Sequence, residues 1–352
     1  MTRQRIATGI DRGFGGVKYV SDLAEGDVES LIAEISEGRA KEILQNNQGD
    51  DSVIIVEQFG KYYLIGRYVA EVEPNSAERN LQRDRHTLNE TILFLTGLGL
   101  ATQNVKDSEV VVTTGLPTDD FDSNSVDYSS KIMNGGEPYV FVIYKGSKKF
   151  EKNIKVIAAN IENQPKGTVI SIIDKKLSEG MNWNDLKKRR FGINDFGYNT
   201  TDGSSYVGKD IVKGDKINFS TTAMSEIVAT AKRLINGYYK SNKSEDEILK
   251  AIETCEVKIK GEMKDCTPLV KQALEASGKQ LVEQISSKWA GVIDTFDEVI
   301  LTGGCLANKM FAEILKNLYK EATGWDVTIP DNPRMANANG FYLISASIMQ
   351  NM

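Results

Sequence analysis

The pattern of hydrophobic and polar positions predicts short strands in the first half of the chain and longer helices in the second. "DSVIIVEQFGKYYLIG" contains two apolar runs separated by Phe59 and Gly60, which indicates a β-hairpin. Over residues 88–102 the apolar positions recur at helical spacing, which predicts a helix. In the second half, "EVKIKGEMKDC" predicts a hairpin that turns at Gly261, and a long amphipathic helix follows from Pro268.

Two buried strand-like segments end in glycine turns. "VVVTTGLP" leaves its strand at Gly115, Leu116 and Pro117, and "DEVILTGGCLANKMF" predicts a strand, a turn at Gly303 and Gly304, and a helix. Strands that alternate with helices indicate an α/β fold. In open α/β sheets, ligands gather at the carboxyl ends of the strands, so both turns are candidate ligand contacts. An ordinary connection between a strand and a helix is the alternative interpretation of the second turn.

A short motif occurs twice, once at the start of the chain and once near its middle. Residues 9–20 read "GIDRGFGGVKYV", and residues 191–203 read "FGINDFGYNTTDG". In each copy a strand-like run contains an aspartate, Asp11 or Asp195, and a glycine turn then leads into another strand-like run. The aligned turn residues are Gly13 with Gly197, Phe14 with Tyr198, and the pair Gly15 and Gly16 with Asn199 and Thr200. Two unrelated β-hairpins are the alternative, but the matching strand context favours a duplicated unit.

The first copy matches neither of the common phosphate-binding motifs. Lys18 is followed by Tyr19, where the P-loop has Ser or Thr, and a strand follows the glycines, where the dinucleotide motif has a helix. The chemistry still favours phosphate, because the N–H groups of tight turns form concavities that bind anions. The Lys18 ammonium and the hydroxyls of Thr200 and Thr201 add donors. The two aspartates would repel bare phosphates, so we expect Mg²⁺ with its waters between them.

The composition narrows the class of protein. The chain has 352 residues, which is long enough for two domains, with 40% hydrophobic residues, 26% charged residues and a formal net charge of −6. This mixed, acidic character disfavours direct, non-specific DNA binding. Three cysteines without metal-ligand spacing and a single histidine, His86, disfavour a zinc site and a Ser-His-Asp triad. We expect neither a signal peptide nor a membrane span, and predict a protein of the reducing cytoplasm.

The order of these motifs resembles that of the actin-like ATPase superfamily over nearly the whole chain. "GIDRGFGGVKYV" and "INDFGYNTTDG" are similar to its two phosphate motifs, "VILTGGCLANKMF" to its adenosine motif, and "ANANGFYLIS" to a segment that links its subdomains. Within the superfamily the chain looks most like the ParM/StbA group of plasmid-segregation actins. The resemblance implies an α/β fold of duplicated actin-like (ribonuclease H-like) domains around a nucleotide cleft. It implies domain I at 1–164, with a small inserted subdomain at about 25–85, and domain II at 165–352, with the C-terminal helix returning to domain I.

The resemblance also implies roles for individual residues. Asp195 would act on the metal and on the attacking water, and Asp11 would be held near the metal through water. An acidic or amide residue just before domain II would orient the attacking water. The candidate is Gln164 in "IENQPKGTV", with Glu162 as the second choice. The other nucleotide contacts would come from the glycine turns and the lysine after the first: Gly13, Phe14, Gly15, Gly16, Lys18, Gly197, Tyr198, Asn199, Thr200, and Gly303 and Gly304 for adenosine.

Three residues depart from the family pattern. Arg12 and Phe14 are bulkier than the residues often found in the first hairpin, and Asn194 stands where an apolar or acidic residue is more common. These departures concern the way in which phosphate is contacted and leave the implied fold unchanged.

The function implied by the resemblance is ATP-dependent assembly into filaments that move or position plasmid DNA. The cofactors would be ATP, with GTP as the alternative, and Mg²⁺, and hydrolysis would control filament turnover. The partners would be further copies of the chain and a DNA-binding adaptor of the ParR type on a centromere-like DNA site, with no direct DNA binding and no membrane. The same fold serves sugar kinases, heat-shock chaperones and cell-shape actins. A sugar or small-molecule kinase, or a cell-shape bacterial actin, is therefore the alternative.

Overall fold

The structure is a computed structural model that describes residues 3–79, 87–212, 217–219 and 224–352. His86 and the last residues of the subdomain predicted at about 25–85 lie outside the described residues. The chain forms two compact units, Met1–Asp174 with Met335–Met352, and Lys175–Arg334. The C-terminal helix thus belongs to the first unit, and the chain leaves that unit after residue 174, beyond the predicted boundary at 164.

The first unit contains a mixed sheet. Its strands in the described residues are β1 (Gln4–Arg12), β2 (Gly16–Ser21), β3 (Glu25–Glu29), β4 (Leu31–Ile35), β5 (Ile54–Gln58), β6 (Lys61–Ile65), β7 (Glu78–Arg79), β8 (Asp107–Leu116), β9 (Tyr139–Lys145) and β10 (Lys148–Asn163). They lie in the order β3-β2-β1-β8-β10-β9-β5-β6-β4-β7. β1 pairs antiparallel with β2 and parallel with β8, which also pairs parallel with β10. The hairpin predicted at Phe59 and Gly60 is confirmed as β5 and β6.

The second unit repeats this arrangement on a smaller scale. Its strands in the described residues are β11 (Arg190–Phe196), β12 (Thr201–Val207), β13 (Asp210–Ile211), β14 (Ile217–Phe219), β15 (Glu256–Ile259), β16 (Glu262–Asp265) and β17 (Glu298–Thr302). The sheet order is β13-β12-β11-β17, with β14 also paired to β12, and β15 and β16 form a separate hairpin. β11 pairs antiparallel with β12 and parallel with β17, as β1 does with β2 and β8. The duplication predicted from the two motifs is therefore present in the strand topology.

Helices flank both sheets. In the described residues they are α1 (Glu37–Asn46), α2 (Tyr68–Val72), α3 (Leu88–Ala101), α4 (Thr118–Ile132), α5 (Gln164–Ser178), α6 (Trp183–Leu186), α7 (Met224–Tyr239), α8 (Glu245–Thr254), α9 (Thr267–Trp289), α10 (Lys309–Thr323) and α11 (Ala336–Gln350). α3 and α9 confirm the helices predicted at 88–102 and from Pro268. Ser244 starts α8 with a capping box that also uses Glu247. None of the described helices is both long and apolar enough to cross a membrane.

Glycine allows the backbones of β1, α5 and α11 to touch. A Cβ atom on Gly9 would lie 2.2 Å from a carbonyl oxygen of α11, and one on Gly340 would lie 1.8 Å from the carbonyl oxygen of Gly167. Asn337 strengthens this contact, because its side-chain oxygen accepts hydrogen bonds from the N–H (3.1 Å) and the hydroxyl (2.7 Å) of Thr168. The C-terminal helix therefore packs against the core of the first unit at distances that no larger residue would permit.

We expect Gly340→Ala to destabilise the chain by about 3 kcal/mol or more, because the new methyl group would overlap the backbone of α5. Gly237→Ala is the matched control, since Gly237 also lies inside a helix but an added Cβ meets nothing within 4 Å. Removing a helical glycine there should stabilise the chain by about 0.5–1 kcal/mol. Urea unfolding of both variants measures the difference. Equal effects of the two substitutions would contradict this account of the helix contact.

Candidate functional site

The first glycine turn joins β1 to β2 and is closed by its own backbone. The N–H of Gly13 donates to the Gly16 carbonyl at 3.0 Å, and the N–H of Gly16 donates back to the Gly13 carbonyl at 3.3 Å. Ser30 supports the turn from the neighbouring chain segment, because its hydroxyl donates to the Gly13 carbonyl at 2.9 Å and its N–H donates to the Gly15 carbonyl at 3.4 Å. The carbonyls of Gly13, Gly15 and Gly16 are thus hydrogen-bonded within the protein, so they are less suited to bind a cation, and an anion is the favoured ligand of this turn.

Beside this turn the structure brings together three of the predicted site residues. Asp11 is buried, and one of its carboxylate oxygens lies 3.1 Å from the Lys18 ammonium. The other oxygen accepts a hydrogen bond of 2.7 Å from the side-chain amide of Gln164, at the start of α5. Asp11 and Lys18 are directly opposed in the antiparallel ladder of β1 and β2. A Cβ atom on Gly13 would lie 2.7 Å from the Lys18 nitrogen, so glycine leaves room for this ammonium.

Glu162, the second choice for orienting water, has different neighbours. Its carboxylate lies 2.8 Å from the ammonium of Lys166 and accepts a hydrogen bond of 3.2 Å from the side chain of Asn160. In a continuous strand, Glu162 and Gln164 would share a face, but the chain changes from β10 to α5 at Gln164, so the two side chains leave the backbone in different directions. The structure therefore joins Gln164 to the Asp11 cluster and leaves Glu162 in a local ion pair.

Arg12 points to the opposite face of β1 from Asp11, as strand alternation requires. Its guanidinium lies 2.5 Å from the carboxylate of Glu90 in α3 and also donates to the Glu90 carbonyl at 2.7 Å. The guanidinium carbon is 5.2 Å from the centre of the Tyr128 ring in α4. Both charged side chains are almost fully buried, and so is Phe14 at the turn. Arg12, one of the bulky residues that depart from the family pattern, therefore anchors the first hairpin inside its own unit.

The second glycine turn joins β11 to β12. The N–H of Gly197 donates to the Thr200 carbonyl at 2.9 Å, and the Gly197 carbonyl accepts a hydrogen bond of 2.9 Å from the thiol of Cys305. Burial raises the pKa of that thiol to about 12, so Cys305 remains a neutral donor. The Tyr198 hydroxyl donates to Glu245 at the start of α8. Thr200 is buried and Asn199 is half-buried in this turn.

Asp195 and Gly303 come together at the ends of β11 and β17. Asp195 is opposite Thr302 in the parallel ladder, and a Cβ atom on Gly303 would lie 2.4 Å from the Asp195 carboxylate. Gly303 has a φ of 102°, a conformation that other residues rarely adopt. An added Cβ on Gly304 would meet nothing within 4 Å, so the surface of this residue is open.

The chain after these glycines differs from the expected direct entry into a helix. A single 3₁₀ turn, Gly304–Ala307, comes first, and α10 begins only at Lys309. The side chain of Asn308 caps α10 by accepting a hydrogen bond from the N–H of Phe311. The helix begins late because Asn308 caps it, and a pattern of apolar residues does not reveal such a cap. Gly303 and Gly304 therefore do not lie at the N-terminus of α10.

The predicted residues thus fall into two groups, one in each unit. Within the described ranges, no three His, Cys, Asp or Glu side chains are grouped as a metal cluster. The sequence pattern missed Ser30, Glu90 and Glu245, which hold the two hairpins. The sequence signal for Glu90 is an acidic residue at the start of the apolar stretch "ETILFL", but no neighbouring residue indicates that its partner is Arg12.

The fold and the two turns define a duplicated α/β protein of the ribonuclease H-like type. Residues 9–167 match the family model for the N-terminal domain of actin-like proteins, and residues 193–317 match that for the C-terminal domain of archaeal MreB-like actin homologues. The chain therefore contains an actin-like N-terminal domain followed by an actin-like C-terminal domain. A comparison with curated proteins gave no match.

Solved structures agree with this assignment over almost the whole chain. A subunit of a 15-stranded ParM filament from Clostridium botulinum has a TM-score of 0.77 at 20% identity, covering 99% of this chain and 100% of that one. An archaeal actin homologue in complex with ADP has a TM-score of 0.74 at 15% identity, covering 97% and 99%. ParM of Bacillus thuringiensis with ATP has a TM-score of 0.67 at 14% identity, covering 99% and 100%. At these identities the likeness establishes the actin-like fold.

We expect Arg12→Met or Glu90→Gln to destabilise the chain by about 3–5 kcal/mol, because each leaves a buried group without its charged partner. The double variant, which combines Arg12→Met with Glu90→Gln, should lose less than the sum of the two single losses, since it leaves no uncompensated charge. Urea unfolding of the four proteins measures this coupling. Additive losses would show that the two side chains do not act as a pair.

Proposed function

We propose that this protein is a filament-forming ATPase that uses nucleotide binding and hydrolysis to assemble and disassemble, and that it segregates plasmid DNA. The observation that carries the proposal is the cluster of the buried Asp11 and Lys18 with the half-buried Gln164 beside the first glycine turn. A buried cation next to a glycine turn is suited to phosphate, and an amide held by an aspartate is suited to orient water. The matches to actin-like domain models in both halves of the chain support the same activity.

Each unit supplies one phosphate-binding turn in this proposal. In the first, the ammonium of Lys18 and the turn Gly13–Gly16 contact phosphate oxygens. In the second, the turn around Tyr198 and Asn199 does so, with the hydroxyl of Thr200 as a further donor. Gly303 and Gly304 contact the adenosine, where the open surface of Gly304 allows a flat base to approach. ATP is the proposed nucleotide, supported by the ADP and ATP in two of the similar structures, and GTP is the alternative.

Gln164 orients the attacking water in this scheme. Its amide nitrogen donates to Asp11, which fixes the side chain and turns the amide oxygen toward a different partner, and that oxygen can accept a hydrogen from water. An amide is a poor base, so the rate enhancement would come from position and from electrostatic stabilisation of the transferred phosphoryl group. In the second unit, Asp195 is the residue proposed to act on the metal and on water.

The residues present fit a magnesium ion that is held through water. Both Asp11 oxygens already accept a hydrogen bond or ion-pair contact within the protein, so they suit contact with the waters of the ion rather than with the ion itself. In the second unit, the Asp195 carboxylate, beside Gly303, supplies hard oxygens of the same kind for contact with such waters. When bound, Mg²⁺ would neutralise negative charge on the phosphates.

The partners follow from the proposed family role. The filament would consist of further copies of this chain, which is supported by the ParM filament among the similar structures. An acidic chain, with a net charge of −6, would reach DNA through a basic adaptor of the ParR type on a centromere-like site. The proposed location is the cytoplasm. A second candidate is a cytoskeletal actin without a plasmid, favoured by the MreB-like match of residues 193–317.

Two measurements on the purified protein test the proposed filament assembly and ATP hydrolysis. Light scattering is recorded after addition of Mg-ATP, and phosphate release is followed in parallel. We expect scattering to rise and phosphate release to follow it. Asp195→Ala should leave the protein soluble and abolish phosphate release. Phosphate release without scattering would instead favour a small-molecule kinase, and unchanged turnover in Asp195→Ala would remove Asp195 from the site. Addition of a candidate adaptor with its DNA separates plasmid segregation from a purely cytoskeletal role.

Gln164→Ala should slow phosphate release by about 100-fold, because the attacking water loses its orientation. Glu162→Ala is the matched control, since Glu162 lies only two positions away and pairs with Lys166 instead of Asp11. We expect Glu162→Ala to retain near wild-type release. Single-turnover assays with saturating Mg-ATP measure both, and the reverse ranking of the two variants would make Glu162 the residue that orients water.

A further inference from the structure

Two of the three cysteines face each other at the base of the hairpin formed by β15 and β16. Cys255 directly follows α8, and Cys266 directly precedes α9. Glu256 and Asp265 are paired in the antiparallel ladder, so the two cysteines occupy the next opposed positions along it. The N–H of Cys266 donates to the Cys255 carbonyl at 2.8 Å, which extends the ladder to this pair.

This register brings the two thiols within bridging range. Hydrogen-bonded residues that are opposed in an antiparallel pair have Cα atoms about 5.5 Å apart, and disulfides form at Cα separations of about 4.4–6.8 Å. Burial raises the pKa of Cys266, and the charge of the neighbouring Cys255 raises it further, so the two thiols are close to each other. Both side chains accordingly contact the same apolar core of the second unit, with Cys266 fully buried and Cys255 half-buried.

The backbone at Cys255 is unusual for this residue type. Its φ is 58°, and it occupies the left-handed position after α8, where its N–H donates to the Ala251 carbonyl. Glycine or asparagine is the common residue at this position, because a side chain strains the backbone there. The strained residue also carries the more accessible of the two thiols, since Cys255 is half-buried and Cys266 is buried.

We propose that Cys255 and Cys266 form an oxidisable dithiol that reacts with hydrogen peroxide to give an intramolecular disulfide. The Cys255 sulfur attacks one peroxide oxygen, the O–O bond breaks, and Cys255 becomes a sulfenic acid while one water leaves. The Cys266 sulfur then attacks the Cys255 sulfur, and its proton departs with the hydroxyl group as a second water. Two thiols lose two electrons in total, and one hydrogen peroxide molecule becomes two waters.

The order of attack follows from exposure. Burial raises the pKa of Cys266 to about 11, so this thiol is a poor first nucleophile and acts as the resolving group. The half-buried Cys255 meets the oxidant first. The resulting bond would fix the end of α8 to the start of α9. The other end of α8 contacts the second glycine turn through Tyr198 and Glu245, so the modification lies on an element that also supports the candidate nucleotide site.

The test is peptide mapping of the reduced full chain after treatment with hydrogen peroxide and alkylation of the remaining thiols. The expected product is a disulfide between the tryptic peptides 251–258 and 265–271, with loss of two of the three alkylatable thiols and recovery of all three by dithiothreitol. Cys305→Ser is the matched control and should give the same product, because Cys305 is the third, separately buried thiol.

Cys255→Ser and Cys266→Ala should each abolish the cross-link, and Cys266→Ala should leave Cys255 as a sulfenic acid that dimedone traps. The wild-type map decides the question even if a variant fails to fold. Over-oxidation of Cys255 without a cross-link, or cross-links that join separate copies of the chain or involve Cys305, would overturn the proposal.

Discussion

The direct backbone contact of α11 with β1 and α5 is the constraint on which the candidate site of the first unit depends. Gly9 lies two residues before Asp11 in β1, and Gly167 lies three residues after Gln164 in α5. Because α11 touches both glycines, with Gly340 at the contact with α5, it sets how close the two segments can approach. The 2.7 Å hydrogen bond between Gln164 and Asp11 is formed at that separation. Packing between backbones, rather than the charges themselves, therefore determines the geometry of the cluster.

Strand β1 carries buried charges on both faces, and their partners lie on different elements. Asp11 pairs with Lys18 on the adjacent strand, while Arg12 pairs with Glu90 on α3. Buried ion pairs contribute little net stability, because desolvation offsets most of the attraction. They do specify register, since a shift by one residue would exchange the two faces and leave each charge without its partner. The hairpin is therefore held in the one register that presents its glycine turn beside Lys18.

The two units share topology but differ in how they support their turns. In the first unit a lysine lies opposite the aspartate, and a serine binds the carbonyls of the turn. In the second, Asp195 is opposed by Asp202, the turn carbonyl accepts from Cys305, and Tyr198 is held by Glu245. The duplication thus preserves the backbone path while the electrostatics differ.

The sequence by itself determined what depends on neighbouring residues. The duplicated motif, the hairpins at Gly60 and Gly261 and the helix from Pro268 follow from residue periodicity and turn chemistry, which act over a few positions. The α/β class and the family resemblance follow from the order of these segments. Residue periodicity does not fix where a helix begins, because a capping side chain can delay the first turn, as the start of α10 at Lys309 illustrates.

Only the tertiary structure decided which residues meet across long separations in the chain. The choice of Gln164 over Glu162 as the neighbour of Asp11, the pairing of Arg12 with Glu90, and the return of α11 to the first unit each join segments far apart in sequence. A side chain's partner depends on how helices and strands pack, and adjacent residues carry little information about it. Residue patterns therefore located the two turns, whereas packing determined what surrounds them.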